Sequence, residues 1–282
     1  MTEHPSNQPL PHTGGENRPS TRIRGRSGDR ASGPHWSSYV TVGAILAVTV
    51  LPGWFPREMA RWHEAWAEYE ELEGNLPAAS AANSRALWWT PDDFALRSRK
   101  VTLQFRLGDA HAALQEADAM LADFQAAMPD PVPVPYQEQL ISLLNQRAYA
   151  RALAGKEVEA ALQDVNHAMT LLRGAESAAI LDTRGYILHL LGRNEDARRD
   201  MERAVSLMQA NMALQRQGLY SMYGYLTDQR NLRRGEQELQ EGFAVLLHHR
   251  GLVYQSLGKD ILAKTDLDRA QQLGYGRENG VW

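Results

Sequence analysis

The sequence predicts an all-α chain in which an array of helical hairpins follows a single apolar span. Three observations carry that reading. After Pro56 the residues are helix formers broken by short turns, with almost no alternation of the strand kind. Glycine and alanine recur at fixed spacings in several segments. No Asp, Glu, Lys or Arg stands between Arg30 and Arg57.

Residues 1–35 are rich in Pro, Gly, Ser and Asn, and Leu10 and Ile23 are their only large aliphatics after Met1. So little apolar surface cannot offset the entropy of ordering, and a disordered basic tail is expected. Residues 36–56, containing "WSSYVTVGAILAVTVLPGWF", are expected to form one transmembrane helix, since the uncharged stretch has about the length that spans a hydrocarbon core. Its main contributors are Val40, Val42, Ile45, Leu46, Val48, Val50, Leu51 and Phe55. Together they favour insertion by about 2–5 kcal/mol before Gly, Ser, Thr and Pro subtract. Trp36 and Tyr39 at one end, and Trp54 and Phe55 at the other, suit the two interfaces.

Orientation follows from charge. Arg18, Arg22, Arg24, Arg26 and Arg30 precede the span, whereas Glu58, Glu64, Glu68, Glu70, Glu71 and Glu73 follow it with only Arg57 and Arg61. The basic side is expected in the cytoplasm and the helical domain outside it, with the span as an uncleaved signal anchor. Against a cleaved signal peptide stands "LPGWFPREM", whose bulky residues offer no small-x-small site. The other competing reading is a buried soluble helix, for which Thr41, Gly43 and Thr49 dilute the hydrophobicity and Pro52 ends the run early.

The remaining composition is that of an ordinary globular chain: 282 residues, 43% hydrophobic, formal net charge -4 and no cysteine. General nucleic-acid binding would need a concentrated basic face, which is missing. Without cysteine there is no disulfide framework and no thiolate chemistry.

Residues 57–275 are expected to be the repeat domain. When "LDTRGYILHLLGRNEDARRDMERAVSL" is set under "LLHHRGLVYQSLGKDILAKTDLDRAQQL", Gly185, Gly192, Ala197 and Ala204 fall on Gly251, Gly258, Ala263 and Ala270. Upstream, Ala67, Gly74, Ala79 and Ala86 repeat the spacing and end at Pro91. Weaker copies are anchored on Gly108 and Ala113, and on Ala148, Gly155, Ala161 and Ala168 with one extra residue in the turn. Small residues let two antiparallel helices approach closely, and a turn glycine permits φ > 0 after the first helix. Large residues between them, such as Leu181, Leu188, Leu191, Met201 and Val205, fill the space between hairpins.

Two stretches depart from the pattern. Pro129, Pro131, Pro133 and Pro135 forbid helix and predict an extended connector over 128–136. Residues 208–243 keep helical composition without a repeat signature. They read either as two lengthened helices meeting near Asp228 to Arg234 or as a degenerate extra repeat. Residues 276–282 are left as a short C-terminal tail.

The four small slots and the closing proline resemble the tetratricopeptide repeat family. The likeness is strong around 67–91, 181–207 and 247–273, and weaker where Met120 replaces the last alanine. It implies a right-handed solenoid whose concave groove binds extended peptides or helices. On that basis the groove candidates are Asn145 and Tyr149 in one hairpin, Asp182, Tyr186 and His189 in the next, and His248, Leu252 and Gln255 in the last. Tyr149 and Tyr186 could equally pack between hairpins. Some members of the family clamp a partner's terminal carboxylate with Lys and Asn. Here the matching slots hold Glu64, Ser98, Asn145, Asp182 and His248, which do not support that mode.

Nothing nominates an enzyme, a metal, a cofactor or a small-molecule substrate. His248 and His249 are adjacent, so on a helix they point about 100° apart and cannot chelate one ion from a single face. The acidic runs "EYEELE" and "RRGEQELQE" read as solvated helix faces. The expected function is a membrane-anchored scaffold that binds a protein or peptide. A self-associating structural component of a membrane assembly is the alternative, and a hydrolase built on the carboxylates has no support.

Overall fold

In the computed structural model, residues 40–41, 51–219 and 229–276 are described. The chain divides into two units, residues 1–48 and 49–282, and all that follows concerns the second. The expected tail, most of the expected span and residues 277–282 lie outside the described residues. Among the described residues no helix is long and apolar enough to cross a membrane.

Among the described residues of this unit, ten α-helices form five hairpins. Helix α1 (Leu51–Leu72) pairs with α2 (Leu76–Trp89), α3 (Phe94–Arg106) with α4 (Ala110–Ala127), and α5 (Gln137–Ala154) with α6 (Val158–Leu171). Then α7 (Ala178–Leu190) pairs with α8 (Asn194–Leu219), and α9 (Gln229–Ser256) with α10 (Asp260–Gln272). Each hairpin packs on the next, and first helices also touch first helices, α5 on α7 and α7 on α9. The result is the expected all-α solenoid of stacked helix pairs. Pro56, where the sequence reading ended the span, lies inside α1, at the loss of one backbone hydrogen bond.

The two kinds of glycine do different work. Gly74, Gly108, Gly155, Gly192 and Gly258 close the turns between paired helices with φ of 76, 82, 62, 73 and 67°. A Cβ on Gly74, Gly155, Gly192 or Gly258 would meet nothing within 4 Å, so conformation alone selects glycine there. Gly185 and Gly251 are helical, and there space decides. A Cβ on Gly185 would lie 2.9 Å from Met201 Cε, and one on Gly251 would lie 2.8 Å from Leu267 Cδ2. The extra residue of the third turn is absorbed by Glu157, whose φ is 51°.

Local signals fix the helix starts. Asp93 Oδ1 accepts from Leu96 N at 3.1 Å, and Asp109 Oδ1 accepts from Ala112 N at 2.9 Å. Between α4 and α5 the proline-rich connector runs extended into a short 3-10 turn, Val134–Tyr136. Over 208–243 both helices are lengthened, α8 to Leu219 and α9 from Gln229, with residues 220–228 between them. The start of the expected meeting point, Asp228, lies outside the described residues, and Gln229 to Arg234 are already in α9.

A partly buried ion pair ties the two helices of four hairpins together, and the sequence reading did not anticipate it. Arg184 donates to Asp200 through Nε at 2.6 Å and Nη2 at 2.7 Å, and Arg250 grips Asp266 at 2.6 and 2.8 Å. Arg147 holds Asp164 the same way at 2.8 and 2.6 Å, while Lys100 Nζ reaches Glu116 at 2.6 Å. The base always precedes the first small slot by one residue, and the acid follows the slot of the second helix by three. Burial alone would raise the carboxyl of Glu116, but hydrogen bonds from Lys100 and Arg97 outweigh it and hold the group below its usual range. In the first hairpin the same two slots carry Trp66 and Ala82.

Candidate functional site: the concave face

One cavity of about 550 Å³ is lined by residues from the first helix of every hairpin. Glu71 comes from α1, Arg99, Thr102, Phe105 and Arg106 from α3, and Asn145, Gln146 and Tyr149 from α5. Ala179, Asp182 and Thr183 come from α7, and Glu238, Glu241, Gly242, Val245 and Leu246 from α9. Among second helices only the lengthened α8 contributes, with Met208. The first helices therefore form the inner layer of the array, and their shared face is the cavity wall.

The lengthened start of α9 gives this groove a roof. Arg106 Nη2 reaches Glu241 at 3.4 Å while its Nη1 meets Glu71 at 3.2 Å. Arg99 is held by Glu68 at 2.8 Å and Glu71 at 3.4 Å. Glu68, Glu71 and Glu241 of the two acidic runs thus converge on two arginines of α3, which corrects the solvated-face reading for these three, while Glu73, Glu236 and Glu238 are exposed as that reading expected. The i,i+4 spacing of the runs fits a solvated face equally well, because local periodicity is blind to what another helix places opposite.

An aromatic ladder crosses the inner layer beside the cavity. The Phe105 ring meets Tyr149 edge-on at 5.2 Å, Tyr149 lies 6.3 Å from Tyr186, and Tyr186 stacks on His249 at 4.3 Å. His249 is buried, and its Nδ1 lies 3.0 Å from Asp182 Oδ1. Burial, reinforced by the Asp182 carboxylate, pushes the Tyr149 phenol well above its usual range, and Tyr186 moves the same way for the same causes. Neither phenol ionises near neutrality.

Of the groove candidates, Asn145, Tyr149 and Asp182 line the cavity. Tyr186 belongs to the ladder. His189 is held at the turn by Asn194, 2.8 Å from its Nδ1, and His248 stacks flat on Tyr275 at 3.8 Å. Leu252 is half-buried and Gln255 exposed, and neither lines the cavity. Sequence reasoning missed Arg99, Gln146 and Thr183, which share the slot two residues before the small position; that column of polar residues was the available signal.

Three polar atoms of this lining are buried without a hydrogen-bond partner among the described residues: Arg99 Nη1, Asn145 Oδ1 and Gln146 Oε1. One donor and two acceptors of the wall are therefore open to hydrogen bonding, although Arg99 Nη1 also lies 3.9 Å from Glu64 Oε1. Among the described residues no group of three His, Asp or Glu is placed to hold a metal ion.

No protein-family model matches the chain. Tetratricopeptide repeat protein 36 of Mus musculus is 32% identical over 143 residues, covering 50% of this chain and 64% of the relative. Its Homo sapiens counterpart is 46% identical over 68 residues, covering 23% of this chain and 35% of the relative. The chain thus spans between about a third and just under two thirds of the curated relatives it matches. Among solved structures, BtubC (BKLC) from P. vanneervenii gives a TM-score of 0.47 at 18% identity, covering 85% of this chain and 90% of that one. A tetratricopeptide repeat protein from Parabacteroides merdae gives 0.39 at 21% identity, with 76% and 80% covered. In its stacked hairpins, its glycines and alanines at the contact slots and its curated relatives, the chain is similar to tetratricopeptide repeat proteins.

Proposed function

We propose that this chain is a membrane-anchored adaptor whose repeat domain, outside the cytoplasm, holds a short segment of a partner protein in the roofed groove. The observation that carries the binding half is the set of buried wall atoms without a hydrogen-bond partner among the described residues: Asn145 Oδ1, Gln146 Oε1 and Arg99 Nη1, the last 3.9 Å from Glu64 Oε1. A peptide backbone supplies both complements, a carbonyl for the arginine and N–H groups for the two amide oxygens. Phe105, Tyr149, Met208, Val245 and Leu246 supply apolar wall for a side chain. A volume of about 550 Å³ admits a few residues rather than a long helix. Because Glu71, Asp182, Glu238 and Glu241 outnumber Arg99 and Arg106 in the wall, a neutral or basic segment suits it better than a terminal carboxylate.

The anchoring half rests on the sequence, on the uncharged stretch between Arg30 and Arg57 and the arginines before it.

Two experiments test the two halves. A photocrosslinking side chain placed at Thr102, inside the groove, is expected to capture a polypeptide in intact cells, whereas one at Ser84 on α2 is not. Equal capture from both, or none from Thr102, would remove the groove as the binding site. For topology, Ser6→Cys and Asn279→Cys exploit the absence of cysteine. An impermeant thiol reagent, applied with any outer membrane permeabilised, is expected to label only Asn279→Cys. Labelling of Ser6→Cys alone would reverse the orientation.

A further inference from the structure

We propose that two copies of this chain pair through α1, along the stripe Phe55, Met59, Trp62, Trp66 and Tyr69. The register of the repeats shows why this face is unfinished. Trp62 stands five residues before the first small slot of its hairpin, the position filled in later hairpins by Leu96, Leu143, Ile180 and Leu246. Tyr69 stands two residues after that slot, where later hairpins have Leu103, Ala150, Ile187 and Val253. All eight of these counterparts are buried, covered by the hairpin before them, as Leu103 is by Leu76 and Ala79 and Val253 by Ala197 and Met201. No hairpin precedes α1 among the described residues. Trp62 is 59% exposed, Trp66 45% and Tyr69 53%.

The exposed rings form one surface. Trp62 and Trp66 stack at 6.2 Å, and Trp66 lies 5.9 Å from Tyr69. From Phe55 the stripe steps by four, three, four and three residues, the seam spacing of helices that pair along their length. A patch of this kind is larger and more aromatic than solubility of a lone domain favours.

The other end of the array is built in the opposite way. On α10 the stacking face carries Asp260, Lys264, Leu267 and Gln271, where α6 has Val158, Leu162, Val165 and Met169. Asp260, Lys264 and Gln271 are exposed, so this end is finished with a polar face, as terminal repeats usually are. Ile261 and Leu262 are exposed on α10, but they stand beside Asp260, Lys264 and Gln271 without a continuous aromatic stripe, so a second copy's α1 finds no matching face there and head-to-tail stacking is disfavoured. What remains for a second copy is the same face as its own, α1 on α1, which gives a closed pair. The flanks allow it: in a parallel pair Glu58 of one copy faces His63 of the other, and Ala65 faces Glu70, so no like charges oppose each other. The segment before α1 adds a reason, and here the inference rests on the proposed anchor. The uncharged stretch runs on into α1 as far as Pro56, so copies held in one membrane meet at a raised local concentration.

The test uses the full chain in its own membranes. Since the protein has no cysteine, Trp66→Cys is expected to give a disulfide-linked dimer on mild oxidation, while Lys264→Cys on the polar end stays monomeric. As a second measurement that leaves the seam's other rings in place, light scattering of the detergent-solubilised chain is expected to show a dimer. Trp62→Glu should weaken it at least tenfold with unchanged helical circular dichroism. A monomeric wild type together with no crosslink from Trp66→Cys overturns the pairing, as does equal crosslinking from Lys264→Cys. Carbonate extraction separates this result from the anchor: a chain released from membranes that still crosslinks loses the anchor and keeps the pairing. A chain that stays in membranes without crosslinking loses the pairing alone.

Discussion

Arg106 on α3 and Glu241 on α9, 135 residues apart, meet at 3.4 Å across the concave face. Both side chains are largely shielded, so the contact fastens the start of α9 over the groove. Arg106→Gln is expected to leave the five hairpins folded and to release that roof, with backbone amides of residues 235–245 exchanging roughly tenfold faster, the equivalent of about 1.4 kcal/mol. Exchange in α7 should not change. An unaltered rate over 235–245 would show that apolar packing alone holds the roof.

Between the helical glycines, the two close approaches predict different outcomes. Replacing glycine by alanine inside a helix gains about 1 kcal/mol of propensity. At Gly185 the new Cβ meets only the flexible Met201 side chain, so Gly185→Ala should stay within about 1 kcal/mol of wild type. At Gly251 it meets both Cγ and Cδ2 of branched Leu267 at 2.8 Å, with the Ala263 carbonyl at 3.4 Å behind. Overpacking there should cost about 1–3 kcal/mol and outweigh the gain. Urea unfolding of the two variants decides, and equal stability would mean that the hairpins yield as easily as the methionine does.

Asp200 is buried beneath Arg184, and removing one partner leaves a charge without its complement. Asp200→Ala is expected to cost about 2–4 kcal/mol. Combined with Arg184→Met it should recover most of that loss, because the first hairpin fills the same two slots with Trp66 and Ala82. A double variant as unstable as the single one would assign the pair a specific structural role that apolar packing cannot replace.

Burial, and then the neighbouring His249, push the His248 imidazole down from 6.5 to about 4. Its folded pKa lies below the unfolded one, so the unfolded chain takes up the proton first as pH falls. The stability present above about pH 6.5 is therefore lost between there and pH 4, on the order of 1–2 kcal/mol once solvent screening of this half-buried ring is allowed for. His248→Phe keeps a ring against Tyr275 and removes the titration. Its stability should fall less than that of wild type between pH 7 and 4.5, and identical losses would show that carboxylates elsewhere set the acid sensitivity.

The parts of this fold legible in sequence were those set by short-range chemistry. Gly192 and Gly258 mark turns because φ > 0 is a local demand, and Ala197 and Ala263 mark contacts because close approach admits no larger side chain. Their spacing placed the hairpins. The Arg184–Asp200 pair stood in the sequence too, but a separation of 16 residues matches no helical period, and each member read as an ordinary surface charge. Asn145, Tyr149 and Asp182 were reached through the resemblance to tetratricopeptide repeats, which implies recognition on the inner face of the first helices. Arg99, Arg106 and Glu241 were not, since their meeting depends on how far successive hairpins turn, which no residue spacing within one hairpin records. The lengths of α8 and α9 belong to the same class: their composition was plainly helical, but the roof they build appears only when the array curves.

A solenoid open along its length behaves like a spring, because each coil touches only its neighbours and stretches independently of the rest. Tying α3 of the second hairpin to α9 of the fifth turns most of that spring into a loop. Pulling on the C-terminal end would then load the second hairpin directly, and the intervening coils would resist as a unit instead of opening one after another. A force applied through a bound partner would thus reach the N-terminal end of the array without being dissipated along the way, a stiffness that a row of identical repeats of the same length would not possess.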